Sequence, residues 1–182
     1  MVEQNSCNQE LLKINNLNCR FLIQNSLFKN KRKYFRALTD INLSLNIGET
    51  LGIVGESGSG KSTLAMSILQ LLRYQGQIVF DGIPLEQISK DSLRYQRKDF
   101  QIVFQDPYSS LSPRLNILEI LSEGLSVYGD YTETQLVNLC EDLLREVGLE
   151  PSMMYRYPHQ FSGGQRQRIA IARAISLKPK LV

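Results

Sequence analysis

Residues 41–47 read INLSLNI, apolar and polar in strict alternation, the two-residue period of a strand with one wet face. Gly48 then turns the chain. Residues 50–54, TLGIV, form a continuous apolar run beside a glycine-rich stretch, which predicts a strand buried on both faces of a parallel sheet. From residue 61 to about residue 72, Leu64, Ile68, Leu71 and Leu72 recur with helical spacing. QIVFDG at 77–82 predicts a short strand closing on an Asp81-Gly82 turn, so the amino-terminal part carries antiparallel hairpins. FQIVFQDP at 100–107 predicts a further buried strand, stopped by Pro107. Beyond it the pattern turns helical. Thr132 and Gln135 have the spacing of a capping box, and Leu136, Cys140, Leu143, Leu144 and Val147 make an apolar stripe that Gly148 ends. Strand, glycine loop and helix followed by a helical stretch predict an α/β core with a helical subdomain of about residues 107–160 inserted in it, all within one domain of residues 1–182. Internal repeats and low-complexity tracts are absent.

Composition narrows the class. The 182 residues, 42% apolar and 21% charged, are enough for one globular domain with a substantial core. A net charge of +3 is too small to imply a nucleic-acid partner. The densest basic run, KNKRKYFR at 29–36, reads as a solvated loop. Cys7, Cys19 and Cys140 are odd in number, far apart and without C-x-x-C pairing, which fits a reducing compartment and buried thiols and argues against a disulfide framework or zinc site. The N-terminus lacks an apolar leader segment, and no stretch approaches the roughly 18 apolar residues of a membrane span. The expectation is a cytoplasmic protein whose membrane role, if any, comes through a partner.

Residues 55–62, GESGSGKS, match the phosphate-loop pattern G-x-x-x-x-G-K-[ST] at every fixed position, between a predicted strand and a predicted helix. Gly55, Gly58 and Gly60 let the backbone curl so that N–H groups converge on an anion, while the next helix presents its positive end. Glu56, Ser57, Ser59 and Thr63 complete the cradle. Lys61 is placed to reach the terminal phosphates and Ser62 to ligate Mg²⁺. ATP with Mg²⁺ is the implied ligand.

Three segments together, GESGSGKST at 55–63, VFQDPYSSLSPRLNI at 103–117 and YPHQFSGGQRQRIAIARA at 157–174, resemble the ATP-binding domain of ABC transporters. The resemblance runs from about Leu11 to the end and is strongest to the oligopeptide, dipeptide and microcin C importer branch. It implies a phosphate-loop NTPase core, a parallel sheet with helices, joined to an antiparallel β subdomain and a helical subdomain. It implies that Gln105 touches Mg²⁺ and the attacking water, and that Ser162, Gly163, Gly164 and Gln165 form a signature that meets the γ-phosphate of a second ABC domain in a head-to-tail dimer. Read alone, Ser162 is an N-cap. Tyr34, with Phe35 next, is the candidate to stack on adenine, although either also suits a core or loop. His159 reads as structural. Membrane permease subunits are the other implied partners, placing the protein on the inner face of the cell membrane.

The family's next elements, an apolar strand ending in aspartate, a glutamate and a switch histidine, do not follow; the sequence ends at KPKLV. The expectations are therefore a C-terminally incomplete fold, weak or absent hydrolysis by this polypeptide alone, and poor solubility from an unpaired strand. Two readings stand beside an importer ATPase: a non-hydrolysing remnant that at most binds nucleotide, and a soluble ABC ATPase without a transport role.

Overall fold

The computed structural model describes residues 9–24 and 33–182, so Cys7 and residues 29–32 of the basic run lie outside the described residues. The chain divides into two compact units, Met1–Leu93 and Arg94–Val182.

In the first unit β1 (Glu10–Gln24), β2 (Lys33–Asn46), β3 (Gln75–Phe80) and β4 (Ile83–Pro84) form an antiparallel sheet in the order β2-β1-β3-β4. The alternation holds over 41–45, where Ile41 and Leu43 are half-buried and Leu45 buried while Asn42 and Ser44 are exposed, but the strand ends at Asn46 and Ile47 is exposed. Asp81 and Gly82 both take positive φ, 49° and 77°, as a two-residue hairpin turn between β3 and β4 requires. Bulges bend the β1–β2 pair, and asparagines satisfy the freed amides. The Asn42 side-chain oxygen accepts from the Asn16 N–H at 2.7 Å, and that of Asn18 accepts from the Asp40 N–H at 3.1 Å. Leu12, Ile14, Leu17, Cys19, Ile78 and Phe80 form the buried side of the sheet.

Two expectations for this unit need correction. Residues 50–54 are extended but belong to no strand, and Leu51, Ile53 and Val54 are 44%, 47% and 93% exposed. An apolar run makes backbone willing to pair, but a strand needs a neighbour to supply the ladder, and no described segment pairs with it. The helix predicted to reach Leu72 is shorter, α1 (Lys61–Ile68). Gln70 takes φ 57°, its N–H bonds to the Ser67 carbonyl at 3.0 Å, and Leu71 bonds back to Met66 at 2.9 Å. That is a Schellman stop built on glutamine, which leaves Leu71 exposed. Tyr74 then ties the helix end to the sheet, accepting from Gln70 at 2.6 Å and donating to Glu86 at 2.8 Å, while Glu86 also accepts from the Ile78 N–H at 2.7 Å. Burial, reinforced by the Glu86 carboxylate, holds the Tyr74 phenol protonated far above its ordinary range.

Helix α2 (Lys90–Gln96) leads into the second unit, which holds α3 (Pro107–Ser110), α4 (Ile117–Tyr128), α5 (Glu133–Glu146) and α6 (Gly163–Ile175), with 3-10 turns at Pro151–Tyr155 and Pro158–Gln160. Capping boxes start three of these helices: Asn116 with Glu119, Thr132 with Gln135, and Ser162 with Gln165. The second and third are legible in the sequence. Gly148 ends α5 at φ 70°, its N–H on Arg145 at 3.0 Å and that of Leu149 on Leu144 at 2.8 Å, the same stop as α1 but with the expected residue. Ile117, Leu121, Cys140, Leu144, Met154, Phe161, Ile169 and Ala172 fill one core. Burial pushes the Cys140 thiol up to about 11, so it stays protonated as a small apolar side chain; Cys19 is likewise buried.

The strand expected at 100–107 is reduced to one parallel bridge between Phe100 and Leu181, with the Gln101 N–H on the Leu181 carbonyl at 2.9 Å. Residues 101–104 carry no ladder, for the same reason as 50–54, and Asp106 instead caps α3, accepting from the Tyr108 N–H at 2.9 Å.

The exposed apolar run at 51–54 offers a template for association. The 182-residue chain made alone is expected to aggregate at moderate concentration; a sharp, cooperative melt of monomer at high concentration, checked by sedimentation, would contradict this.

Candidate functional site

The glycine-rich loop of residues 55–60 runs directly into α1, and its backbone depends on glycine where it meets β2. Gly60 has φ 98°, and a Cβ there would lie 2.6 Å from the Ala37 carbonyl oxygen and 3.0 Å from Leu38. Ala37 lies at a bulge: Leu38 pairs with Cys19 and Arg36 with Arg20, so two steps of β2 match one of β1. The loop is seated against that bulge. A Cβ on Gly55 would meet the Ser59 hydroxyl at 2.8 Å, so the curl is closed from inside as well.

Over this curl the Lys61 ammonium donates to the Gly55 carbonyl at 2.7 Å, the Glu56 carbonyl at 2.7 Å and the Ser59 hydroxyl at 3.3 Å. Gly60 offers no side-chain cap and the first turn of α1 holds no acidic residue, so the positive end of the helix dipole is unopposed by its own residues. Ser57, Gly58 and Ser62 are exposed and Thr63 is half-buried. A flexible cation, hydroxyls and uncapped helical N–H groups in one exposed loop are a donor set for phosphate oxygens.

Mg²⁺ suits the remaining residues by the hardness of their donors. Among the described residues no group of three or more His, Cys, Asp or Glu side chains exists that would hold a metal ion. Mg²⁺ is commonly held by one or two protein oxygens together with substrate phosphates, and Ser62 and Gln105 are the candidate oxygens. Ser62 belongs to the first unit. Gln105 is exposed in the second, directly before the Asp106 cap of α3.

Ser162 is the N-cap of α6: its hydroxyl accepts from the Gln165 N–H at 3.3 Å, and the Gln165 side chain accepts from the Ser162 N–H at 2.9 Å. The capping reading of Ser162 is therefore correct as local structure. The two glycines between them have no such explanation. Neither Gly163 nor Gly164 has positive φ, and a Cβ on either would meet nothing within 4 Å. Glycine in a helix is less favourable than alanine, and no contact among the described residues calls for it here. What the pair supplies is bare backbone open to close approach from outside.

Tyr34 sits on β2 three residues before Ala37, about 10 Å along a strand. It is 46% exposed, with the Arg20 guanidinium 5.2 Å from its ring centroid. Phe35 is 52% exposed. His159 is exposed and stacks on Tyr157, ring centroids 5.9 Å apart.

Sequence reasoning missed the arginines of α6. Arg166 lies over the Tyr108 ring at 4.2 Å, Arg168 donates to the Val147 and Gly148 carbonyls at 3.3 and 3.2 Å, and Arg173 donates to the Ser110 carbonyl at 2.7 Å. The available signal was three cations on one helix, whose targets lie far away in sequence.

The sequence model described as "ABC transporter" matches residues 38–182. The chain belongs to the ABC transporter family. It is 47% identical over 173 residues to an uncharacterized ABC transporter ATP-binding protein, YejF, of Escherichia coli K12, a match that covers 94% of this chain and 33% of that protein. It is 44% identical over 180 residues to the oligopeptide transport ATP-binding protein AppF of Bacillus subtilis, covering 97% and 55%. The glutathione import ATP-binding protein GsiA of Escherichia coli O157:H7 is 43% identical over 96% of this chain and 28% of its own length. The chain thus spans between about a quarter and a little over half of these relatives. Among solved structures, the ATP-binding cassette MJ0796, dimeric and bound to ADP and Pi, superposes with a TM-score of 0.79 at 31% identity over 92% of this chain and 70% of that one. The structure of cbiO1 from Clostridium perfringens, part of the ABC transporter complex cbiONQ, gives 0.75 at 29% over 95% and 64%. The architecture is that of an ABC cassette, as the motifs imply, even where the strand expected at 50–54 has no partner among the described residues and that at 100–107 is reduced to one bridge.

The glycines of the two motifs should separate by substitution. Gly60→Ala is expected to destabilise the first unit by about 2 kcal/mol or more, whereas Gly163→Ala should be neutral or slightly stabilising; chemical denaturation of both variants tests this, and equal losses would contradict a steric role confined to Gly60.

Proposed function

We propose that this chain is the nucleotide-binding part of an ABC importer for peptides or similar small solutes, binding ATP with Mg²⁺ at residues 55–63. The observation that carries the proposal is the loop in which Lys61 reaches over Gly55 and Glu56 at the uncapped start of α1. Lys61 neutralises the terminal phosphates there, the loop amides position them, and the Ser62 hydroxyl and Gln105 amide oxygen hold the metal ion. The ion's role is to screen phosphate charge. Tyr34 stacks on the base; its distance from Ala37 along β2 resembles the reach of a nucleotide from base to phosphate.

Ser162, Gly163, Gly164 and Gln165 act on a second ABC domain. Their capped, bare helix start lends backbone N–H groups to the γ-phosphate bound by the partner's loop, so ATP joins the two domains. Support comes from the unexplained glycine pair and from the dimeric state of MJ0796. Peptide-type cargo rests on the transport and import names of the relatives. ATP hydrolysis and its coupling to permease subunits belong to the whole protein. No helix among the described residues is long and apolar enough to cross a membrane, which is consistent with attachment through such subunits.

Lys61→Ala should weaken Mg-ATP binding at least tenfold in an equilibrium binding assay, and unchanged affinity would overturn the site. Gly164→Asp should leave ATP binding by one subunit intact while abolishing ATP-dependent association measured by sedimentation. Equal association of both forms would refute the role across the dimer.

A further inference from the structure

The segment after Gln105 is not a free loop. Asp106 caps α3, and α3 is fastened to α6 at two points: the Tyr108 ring lies against the Arg166 guanidinium at 4.2 Å, and the Ser110 carbonyl accepts from Arg173 at 2.7 Å. Leu111, at the end of α3, is buried in the same core as Ile169, Ala170 and Ala172 of α6. Arg173 and Leu111 hold the far end of the short helix. The near end, next to Gln105, is held by Tyr108 and Arg166.

That near contact has a further peculiarity. Tyr108 is 64% exposed, and the Arg166 Nε is buried without a hydrogen-bond partner among the described residues. The arginine has given up one polar contact in an arrangement that keeps its guanidinium against the ring. Arg166 is also the residue directly after Gln165, and its N–H bonds to the Ser162 carbonyl at 2.9 Å. The group that steadies the Gln105 segment is thus built into the first turn of the helix that the Ser162 segment starts.

We propose that Tyr108 and Arg166 are positioning residues for Gln105, holding its amide where it serves Mg²⁺ and referencing it to the start of α6. The inference rests on the proposed role of Gln105 as a metal ligand. Loss of the ring leaves the peptide chemistry of Gln105 intact but lowers the fraction of molecules in which it is in place, so the apparent affinity for the metal falls by that fraction. An exposed cation–π contact corresponds to about twofold and at most about fivefold.

The test is the Mg²⁺ concentration that half-saturates binding of a fluorescent ATP analogue, measured on the full-length protein with its partner subunits. Gln105→Ala should raise it about tenfold and Tyr108→Ala about two- to fivefold, with Arg166→Ala similar and Arg166→Lys milder. Tyr108→Phe, which keeps the ring, should match the unmodified protein. Adding Tyr108→Ala to Gln105→Ala should produce no further shift, because the tyrosine acts through the glutamine. A shift with Gln105→Ala but none with Tyr108→Ala overturns the positioning role alone, as does full additivity of the two. No shift in either variant overturns the metal-ligand reading of Gln105 and this inference with it.

Discussion

The second unit depends on one helix that is gripped on two sides. The apolar face of α6 buries Ile169, Ala170 and Ala172 among residues of α4 and α5, and two alanines on that face allow close packing of neighbouring elements. Its arginines then reach outward to carbonyls and an aromatic ring. Arg168 binds the carbonyls at the end of α5, which a helix leaves without partners, and its charge complements the negative end of that dipole. Arg173 does the same for the carbonyl at the end of α3. The start of α6 is consequently a defined surface, held by buried contacts beyond its first turn.

Glycine is used in opposite ways at the two motifs. At Gly60 the requirement is internal, since the loop is pressed against the Ala37 carbonyl and no side chain fits. At Gly163 and Gly164 a Cβ would meet nothing within 4 Å among the described residues, so no internal contact there calls for glycine. A consensus motif does not distinguish these cases. The first concerns how the chain holds its own loop, and the second leaves open backbone at a helix start.

Much of the architecture was legible where the causes are local. The Thr132 and Ser162 caps, the Asp81-Gly82 turn and the Gly148 stop each involve residues within a few positions of one another, and the structure contains all of them. The stop at Gln70 was not legible, because glutamine carries no conformational signal for positive φ. Nor was the bulge at Ala37, which arises from the pairing of β2 with β1.

The sequence by itself determined the glycine-rich curl at 55–60 with Lys61 over it and the α6 cap, because spacing along the chain is enough to place a lysine over a curled loop or a serine at a helix start. Only the tertiary structure decided which apolar runs become strands, since 50–54 and 102–104 have the right residues but pair with no strand among the described residues. It also decided the targets of Arg166, Arg168 and Arg173. A cation on a helix surface has no preferred partner until packing brings an aromatic face or an unsatisfied carbonyl within its reach.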